Sequence, residues 1–298
     1  MSPANPSNRR IAFWLVAPFL LWNFTFVVLP LLAVMVQSLH PLSKDYDILP
    51  NWTLDNYRHA LEPELLSVVC RSAGYALITT LLCLLLGYPL AYFIASSRGN
   101  NKSRLLMLVV LPFWTSYLLR ALAWMTVLQT DGTANTVLLG LGLIREPLRL
   151  LNTPLTVVLG LTYGFLPFTT LPIYTRLEQM DRGLLEAAAD LGASPFQVFR
   201  KIVWPLSLPG VIAGSLITFV PAMGDFVTPE LMGGPQTQMI GNLIQQQFLA
   251  LFNWPMGSAL SLVLMAIMVT GVLVYQRLAA GNTQSDGTPT EGLEIQPA

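Results

Sequence analysis

Charge is scarce in this sequence. Of 298 residues only 11% are Asp, Glu, Lys or Arg, against about 25% in soluble domains. The shortage is also uneven. None of these four residues occurs between Arg10 and Lys44, Arg71 and Arg98, Arg149 and Arg176, Lys201 and Asp225, or Glu230 and Arg277. Uncharged apolar runs of roughly 18 residues or more read as membrane-spanning helices, so a soluble fold is excluded. Lys+Arg 16 balances Asp+Glu 16, and without a basic excess nucleic-acid binding is excluded too. A hydrophobic content of 53% rules out a disordered chain.

Reactive side chains are equally few. His40 and His59, the only two histidines, share one loop, and no Cys or second-His spacing accompanies them to hold a metal. Neither G-x-S-x-G nor H-E-x-x-H occurs, so no catalytic residue, metal or cofactor is expected. Cys70 and Cys83 fall on one span, where helical rise separates them by about 20 Å, too far for a disulfide. No Gly-Lys dipeptide exists, hence no phosphate-cradling P-loop. If the chain does ATP-driven work, the ATPase is another chain.

What remains is an all-α, polytopic membrane protein. Six spans are predicted at Ile11–Leu39, Val68–Ser96, Leu105–Thr130, Pro154–Tyr174, Leu206–Val227 and Pro255–Gln276, each long enough to cross a ~30 Å core. The apolar segment Thr133–Ile144 is too short to cross and caps or re-enters from one side. Arg9, Arg10, Arg98, Lys102, Arg104, Arg176, Arg182, Arg200, Lys201 and Arg277 fall on the side of the termini, against Lys44, Arg58, Arg71, Arg145 and Arg149 opposite. That bias puts both termini in the cytoplasm. The first apolar run is far longer than a signal-peptide core, so it is read as an uncleaved helix. The expected organisation is a cytoplasmic N-terminus 1–10, one membrane domain 11–278 and a disordered cytoplasmic tail 279–298.

The informative stretch is the loop 181–205 between the fourth and fifth spans. Asp181 is a good N-cap and Gly192 a left-handed stop, which defines a first short helix. Ser194 then caps a second, with Pro195 at its first position. Leu184, Ala188 and Leu191 share one apolar face of the first helix, and Phe196, Phe199 and Ile202 one of the second. An amphipathic, charged hairpin of this kind either docks into another protein or covers the helix ends.

At these residues the chain resembles a known family. Glu186-Ala187-Ala188, then Gly192, then Ile202 and Pro205 match the E-A-A-x3-G-x9-I-x-L-P loop of permease subunits of ATP-binding-cassette importers, with Trp204 replacing the Leu before the Pro. Leu111–Trp124, Asn152-Thr-Pro, Leu166-Pro-Phe168 with Pro172, and Gly224–Gly234 look like the spermidine/putrescine permeases, the first-subunit type. The resemblance implies a type I importer permease fold and a coupling helix at 181–205 seated in an ATPase subunit. It also implies a partner set: two ATPase subunits, a second related permease subunit and a periplasmic substrate-binding protein. The implied solute is a polyamine, with another small solute as the alternative. A stand-alone secondary carrier would need coupling charges near the midplane and repeated halves; neither is evident.

For a cationic solute, carboxylates and aromatic faces are the natural path lining. The candidates are Trp114, Tyr117 and Trp124 on the third span, Tyr163 on the fourth, and Asp225 and Glu230 at the outer end of the fifth. Trp and Tyr also anchor spans at membrane interfaces, which keeps a purely structural reading open. Arg120, at a depth similar to Asp225, is its candidate partner in an ion pair that fastens the third span to the fifth. The first outer loop is acidic (Asp45, Asp47, Asp55, Glu62 and Glu64 against Lys44 and Arg58). An amphipathic helix is expected in Met239–Phe252.

Overall fold

A computed structural model describes residues 6–43 and 48–283. Asp45, Asp47 and Lys44 of the first outer loop, residues 1–5 and residues 284–298 lie outside the described residues. Among the described residues the only extended pairing is one isolated bridge, Leu42 with Ile48. The helices are α1 (Pro6–Asn23), α2 (Leu29–Ser38), α3 (Asp55–Ala60), α4 (Pro63–Ser96), α5 (Asn100–Val110), α6 (Tyr117–Leu128) and α7 (Thr133–Gly140). They continue as α8 (Pro154–Glu178), α9 (Arg182–Asp190), α10 (Pro195–Val198), α11 (Trp204–Met223), α12 (Val227–Met232), α13 (Ile240–Leu249) and α14 (Trp254–Thr283). Among the described residues five stretches are long and apolar enough to cross a membrane, and a bent pair brings the number to six where it is taken as one broken span.

Prolines explain where the spans depart from single α-helices. Between α1 and α2 the turn Phe24–Val28 is widened, and the Leu29 N–H bonds back to the Phe24 carbonyl just before Pro30. The same device joins α10 to α11: across Phe199–Val203 the Trp204 N–H reaches the Phe199 carbonyl just before Pro205. A proline has no N–H to donate and its ring crowds the preceding turn; a widened turn accommodates both. The second short helix of the 181–205 loop is therefore not separate, as the sequence pattern predicts, but runs on into the fifth span.

The third span is broken. Asn100–Trp114 and Tyr117–Gly140 meet at 89°, with Leu111–Trp114 tightened into a 3-10 turn and Thr115 extended at ψ 153°. Pro112 again removes a donor, and the Pro112 carbonyl left without a helical partner is taken by the Thr115 hydroxyl at 2.7 Å and by Arg120 Nη1 at 3.3 Å. Backbone freed inside a membrane must be re-satisfied in some such way. The fifth span is shorter than expected and stops at Met223, which puts Asp225 just beyond it. α14 runs to Thr283, so residues 279–283 of the expected tail are helical.

The chain divides into two compact units, Met1–Ser67 with Leu243–Met265, and Val68–Asn242 with Ala266–Ala298. In the first, the loop after α2 folds back on its end. Ser38 Oγ and Tyr57 OH are 2.6 Å apart, and Asn56 Nδ2 donates to the Ser38 and His40 carbonyls, both at 2.9 Å. His40 Nδ1 lies 3.0 Å from the Leu49 carbonyl, so this ring braces a loop.

In the second unit α4, α8 and α11 form the centre. Cys83 Sγ donates to the Thr162 carbonyl at 3.4 Å, Tyr88 OH meets Ser207 Oγ at 2.9 Å, and Thr169 meets Thr218 at 2.6 Å. Small residues permit the close crossing of α8 and α11. A Cβ on Gly214 would lie 2.9 Å from the Thr169 carbonyl oxygen and 3.2 Å from its Cα, both backbone atoms that cannot swing aside. Gly214→Leu is therefore expected to destabilise the fold by about 1–3 kcal/mol or more, read as a lower thermal midpoint in detergent. Gly271→Leu, whose Cβ would meet nothing within 4 Å, is the matched control. Equal midpoints would refute the close crossing.

Candidate functional site

The hairpin at 181–205 is held by local hydrogen bonds that its sequence specifies. Asp181 Oδ1 accepts the Gly183 N–H at 2.9 Å. Gly192 takes φ +79°, while the Gly192 and Ala193 N–H groups close on Ala189 O at 2.9 Å and Ala188 O at 3.0 Å. Only glycine reaches that conformation freely. Ser194 and Gln197 cap reciprocally, Gln197 Oε1 accepting the Ser194 N–H at 2.9 Å and Ser194 Oγ accepting the Gln197 N–H at 3.4 Å.

The hairpin has two faces. Leu185, Val198 and Phe199 pack against the buried cluster of Tyr88, Ala91, Ile173, Leu177, Val203 and Val211, where α4, α8 and α11 come together. Phe199 and the rings of Tyr88 and Tyr92 meet edge to face at 6.0 and 6.1 Å, and Trp204, the residue that departs from the motif, lies tilted against Tyr88 at 5.3 Å. The other face is bare: Leu191 is 89% exposed, Phe196 68% and Leu184 49%. The expected grouping of Phe196 with Phe199 and Ile202 fails: Phe196 is exposed, Phe199 turns inward onto the Tyr88 and Tyr92 rings, and Ile202, beyond the start of the widened turn, is half-buried. Glu186, Ala187, Gly192 and Pro205 are exposed, and Ala188 is half-buried. Glu186 borders a cavity of about 250 Å³ together with Tyr92, Arg98 and Glu178. Lys102 holds Glu178, Nζ to Oε1 at 2.7 Å, and so ties α5 to the end of α8.

At the other end of α8 the acid beyond the fifth span is fully engaged. Asp225 is 9% exposed. Its Oδ2 accepts the Tyr117 hydroxyl at 2.8 Å and the Thr228 N–H at 3.2 Å, and its Oδ1 the Val227 N–H at 3.2 Å. Tyr117 OH also lies 2.6 Å from Thr228 Oγ1, and its ring edge rests on Gly164, where a Cβ would come within 3.0 Å. The carboxylate thus fixes the start of α12 and pins α6 to it. Glu230 has a different role, accepting from Asn242 Nδ2 at 3.1 Å. Nearby, Arg71 donates through Nε and Nη2 to the Gln238 carbonyl at 2.9 and 2.7 Å, and Ser72 Oγ accepts the Ile240 N–H at 2.8 Å. All three bonds hold the segment after α12 on α4.

The expected ion pair of Arg120 with Asp225 is absent among the described residues, whose three ion pairs are Arg58–Asp55, His59–Glu62 and Lys102–Glu178. Tyr117 takes the position of the cation at Asp225. Arg120 instead lies 4.5 Å over the Phe113 ring and 5.7 Å from the Tyr117 ring. Tyr163 stacks on Phe113 at 5.8 Å and meets Trp124 edge-on at 5.5 Å. Arg120, Ala123, Trp124, Val127 and Tyr163 border an open cavity of about 170 Å³. Of the six path candidates, Tyr117 joins Asp225 and Trp124 joins Tyr163. Glu230 stays apart, and Trp114 is 80% exposed at the break. Three of the six, Tyr117, Trp124 and Tyr163, border one small cavity beside Arg120, which Asp225, Glu230 and Trp114 do not line.

Comparison with known proteins decides the family. The model of binding-protein-dependent transport system inner membrane components matches residues 87–283. The chain belongs to this family. The permease is 43% identical to the spermidine/putrescine transport system permease protein PotB of Escherichia coli K12 over 256 residues, 86% of this chain and 93% of that one. It is 41% identical to the PotB of Haemophilus influenzae over 271 residues, 91% and 94% of the two chains. Its fold is that of importer permeases: a bacterial alginate ABC transporter, solved with an alginate pentasaccharide-bound periplasmic protein, superposes with a TM-score of 0.72 at 17% identity, covering 92% of this chain and 95% of that one. The permease is therefore a multi-pass inner membrane transport component and not an enzyme. Pattern reading missed Leu185, Tyr88 and the Lys102–Glu178 tie, all of which support the hairpin. The i, i+1 neighbours Leu184 and Leu185 lie about 100° apart around the helix, one exposed and one half-buried, so a single apolar stripe does not assign both.

Proposed function

We propose that this permease is one of two related membrane subunits of an ATP-driven importer for polyamines of the spermidine and putrescine type. It works with two ATPase subunits and a periplasmic binding protein that delivers the solute. The polyamine assignment rests on the 43% identity to PotB over 86% of the chain. Both termini face the cytoplasm, as the basic bias requires. Residues 1–10 and 279–298 then flank one membrane domain, 11–278. The hairpin 181–205 is the contact through which ATPase closure moves α8 and α11.

The observation that carries the coupling role is the two-faced hairpin. Leu185 and Phe199 lock it to the spans, while Leu184, Leu191 and Phe196 stand exposed on the other face. On that face Glu186, Ala187, Ala188 and Gly192 meet the ATPase; Ile202 and Pro205 set the joint to α11. On the solute side Trp124 and Tyr163 are the candidates that keep a lining role, since they border a cavity. Asp225 and Tyr117 are structural. Reconstitution of the chain with its partner subunits tests the reading. Uptake of spermidine or putrescine should require ATP, the ATPase and the binding protein together. Transport by this chain alone would overturn the importer reading. A cognate binding protein that holds no polyamine would overturn the solute while leaving the importer intact.

A further inference from the structure

Arg120 is an arginine with most of its donors unused. A guanidinium carries five N–H donors. Among the described residues the one hydrogen bond of the Arg120 side chain runs from Nη1 to the Pro112 carbonyl at a long 3.3 Å. Its Nε is buried and without a partner. The acid nearest in expectation, Asp225, is filled by the Tyr117 hydroxyl and two backbone N–H groups. The guanidinium carbon lies 4.5 Å from the Phe113 ring centre and 5.7 Å from that of Tyr117, contacts that supply no acceptor oxygen to its N–H donors. A cavity of about 170 Å³ opens beside it, bordered by Ala123, Trp124, Val127 and Tyr163. A cation within a membrane span is costly unless an acceptor meets it.

We propose that Arg120 and this cavity form a carboxylate-binding site completed by another molecule. A planar guanidinium with N–H donors unmet matches the fork-to-fork pairing of carboxylates. A cation does not pair with Arg120 itself; once a carboxylate meets the guanidinium, its charge no longer opposes a polyamine at the Trp124 and Tyr163 rings. Two sources of the carboxylate remain: an acidic side chain of the second permease subunit, or a carboxylate on the solute itself. The site does not depend on which solute is carried.

The test uses the complete importer in lipid vesicles. A photo-reactive residue in place of Ala123, beside an unaltered Arg120, reports what enters the cavity. If the second subunit supplies the carboxylate, the cross-link falls next to one of its Asp or Glu residues. Arg120→Gln then lowers recovery of that subunit about 30-fold, the scale of truncating one side of a buried charge pair. Arg120→Lys, which keeps charge but not the fork, recovers only part. If the solute supplies it, ornithine, which is putrescine bearing a carboxylate, is transported, and Arg120→Gln depresses its uptake far more than that of putrescine. Cross-linking to lipid alone, with assembly and both uptakes of Arg120→Gln equal to the parent, overturns the site. Absence of putrescine uptake in the unaltered importer fails the polyamine reading instead, and the Ala123 cross-link is read independently of it.

Discussion

Leu191→Asp should abolish ATP-driven uptake while leaving the permease folded and inserted. Leu191 is 89% exposed and ends α9 just before the Gly192 stop, so an aspartate there changes the isolated chain by no more than about 0.5 kcal/mol, as for other surface positions. In a docked complex the same carboxylate is driven into an apolar groove with no partner, which is costly. Loss of a central apolar anchor from an interface costs about 2 kcal/mol or more, roughly 30-fold in ATPase affinity. The measurement is recovery of the ATPase with the permease and solute-stimulated ATP hydrolysis in vesicles. Leu185→Asp is the contrast: it strikes the cluster of Tyr88, Ile173 and Leu177 and should lower the yield of folded permease. A third variant, Glu186→Lys with Gly192→Pro, attacks the turn. Proline is fixed near φ −65° and cannot adopt the +79° of Gly192. Normal transport by Leu191→Asp would remove the exposed face from the coupling mechanism.

The two ends of this molecule were unequally legible in its sequence. The hairpin could be read in advance because its bonds are local: Asp181 to Gly183, Gly192 to its own helix, Ser194 to Gln197. Such caps follow from residue type at fixed short spacing. Spans were equally plain, since uncharged apolar length is a one-dimensional signal. The breaks were not. Pro30, Pro112 and Pro205 all remove a donor, yet two are absorbed by a widened turn and one bends the chain by 89°. What differs at Pro112 is rescue by Thr115 and by Arg120, eight residues on. The partner of Asp225 was illegible for the same reason. Arg120 and Tyr117 are three residues apart on α6, and both reach the same region. Charge favours the arginine, but geometry gives Asp225 the tyrosine hydroxyl at 2.8 Å. Which one wins depends on the bend between α5 and α6.

That bend makes Asp225 the residue whose replacement separates support from transport. Asp225→Leu strands the Val227 and Thr228 N–H groups and removes the acceptor of Tyr117 OH. Each buried donor left unpaired costs about 1–3 kcal/mol. The start of α12 and its link to α6 should loosen, with a large fall in thermal midpoint and in assembly. Asp225→Asn behaves differently. Its amide oxygen still accepts one backbone N–H, and an NH₂ in place of Oδ2 can donate to the Tyr117 oxygen but cannot accept from the Thr228 N–H. Midpoint, assembly and putrescine uptake should therefore fall together and modestly, by about 1–3 kcal/mol for the one stranded donor, short of the Leu variant that strands both. Tyr117→Phe removes the hydroxyl's two bonds, to Asp225 and to Thr228 Oγ1, but leaves both backbone N–H groups paired, a loss of about 1–2 kcal/mol. A path carboxylate predicts a split between the two measurements: Asp225→Asn would keep the midpoint and lose uptake of the dication, since neutralising the charge alone would suffice. Thermal midpoint and uptake measured on the same three variants therefore decide the role. Leu as the most damaging of the three, with uptake falling in step with the midpoint in every variant, is the outcome that the three hydrogen bonds at Asp225 require.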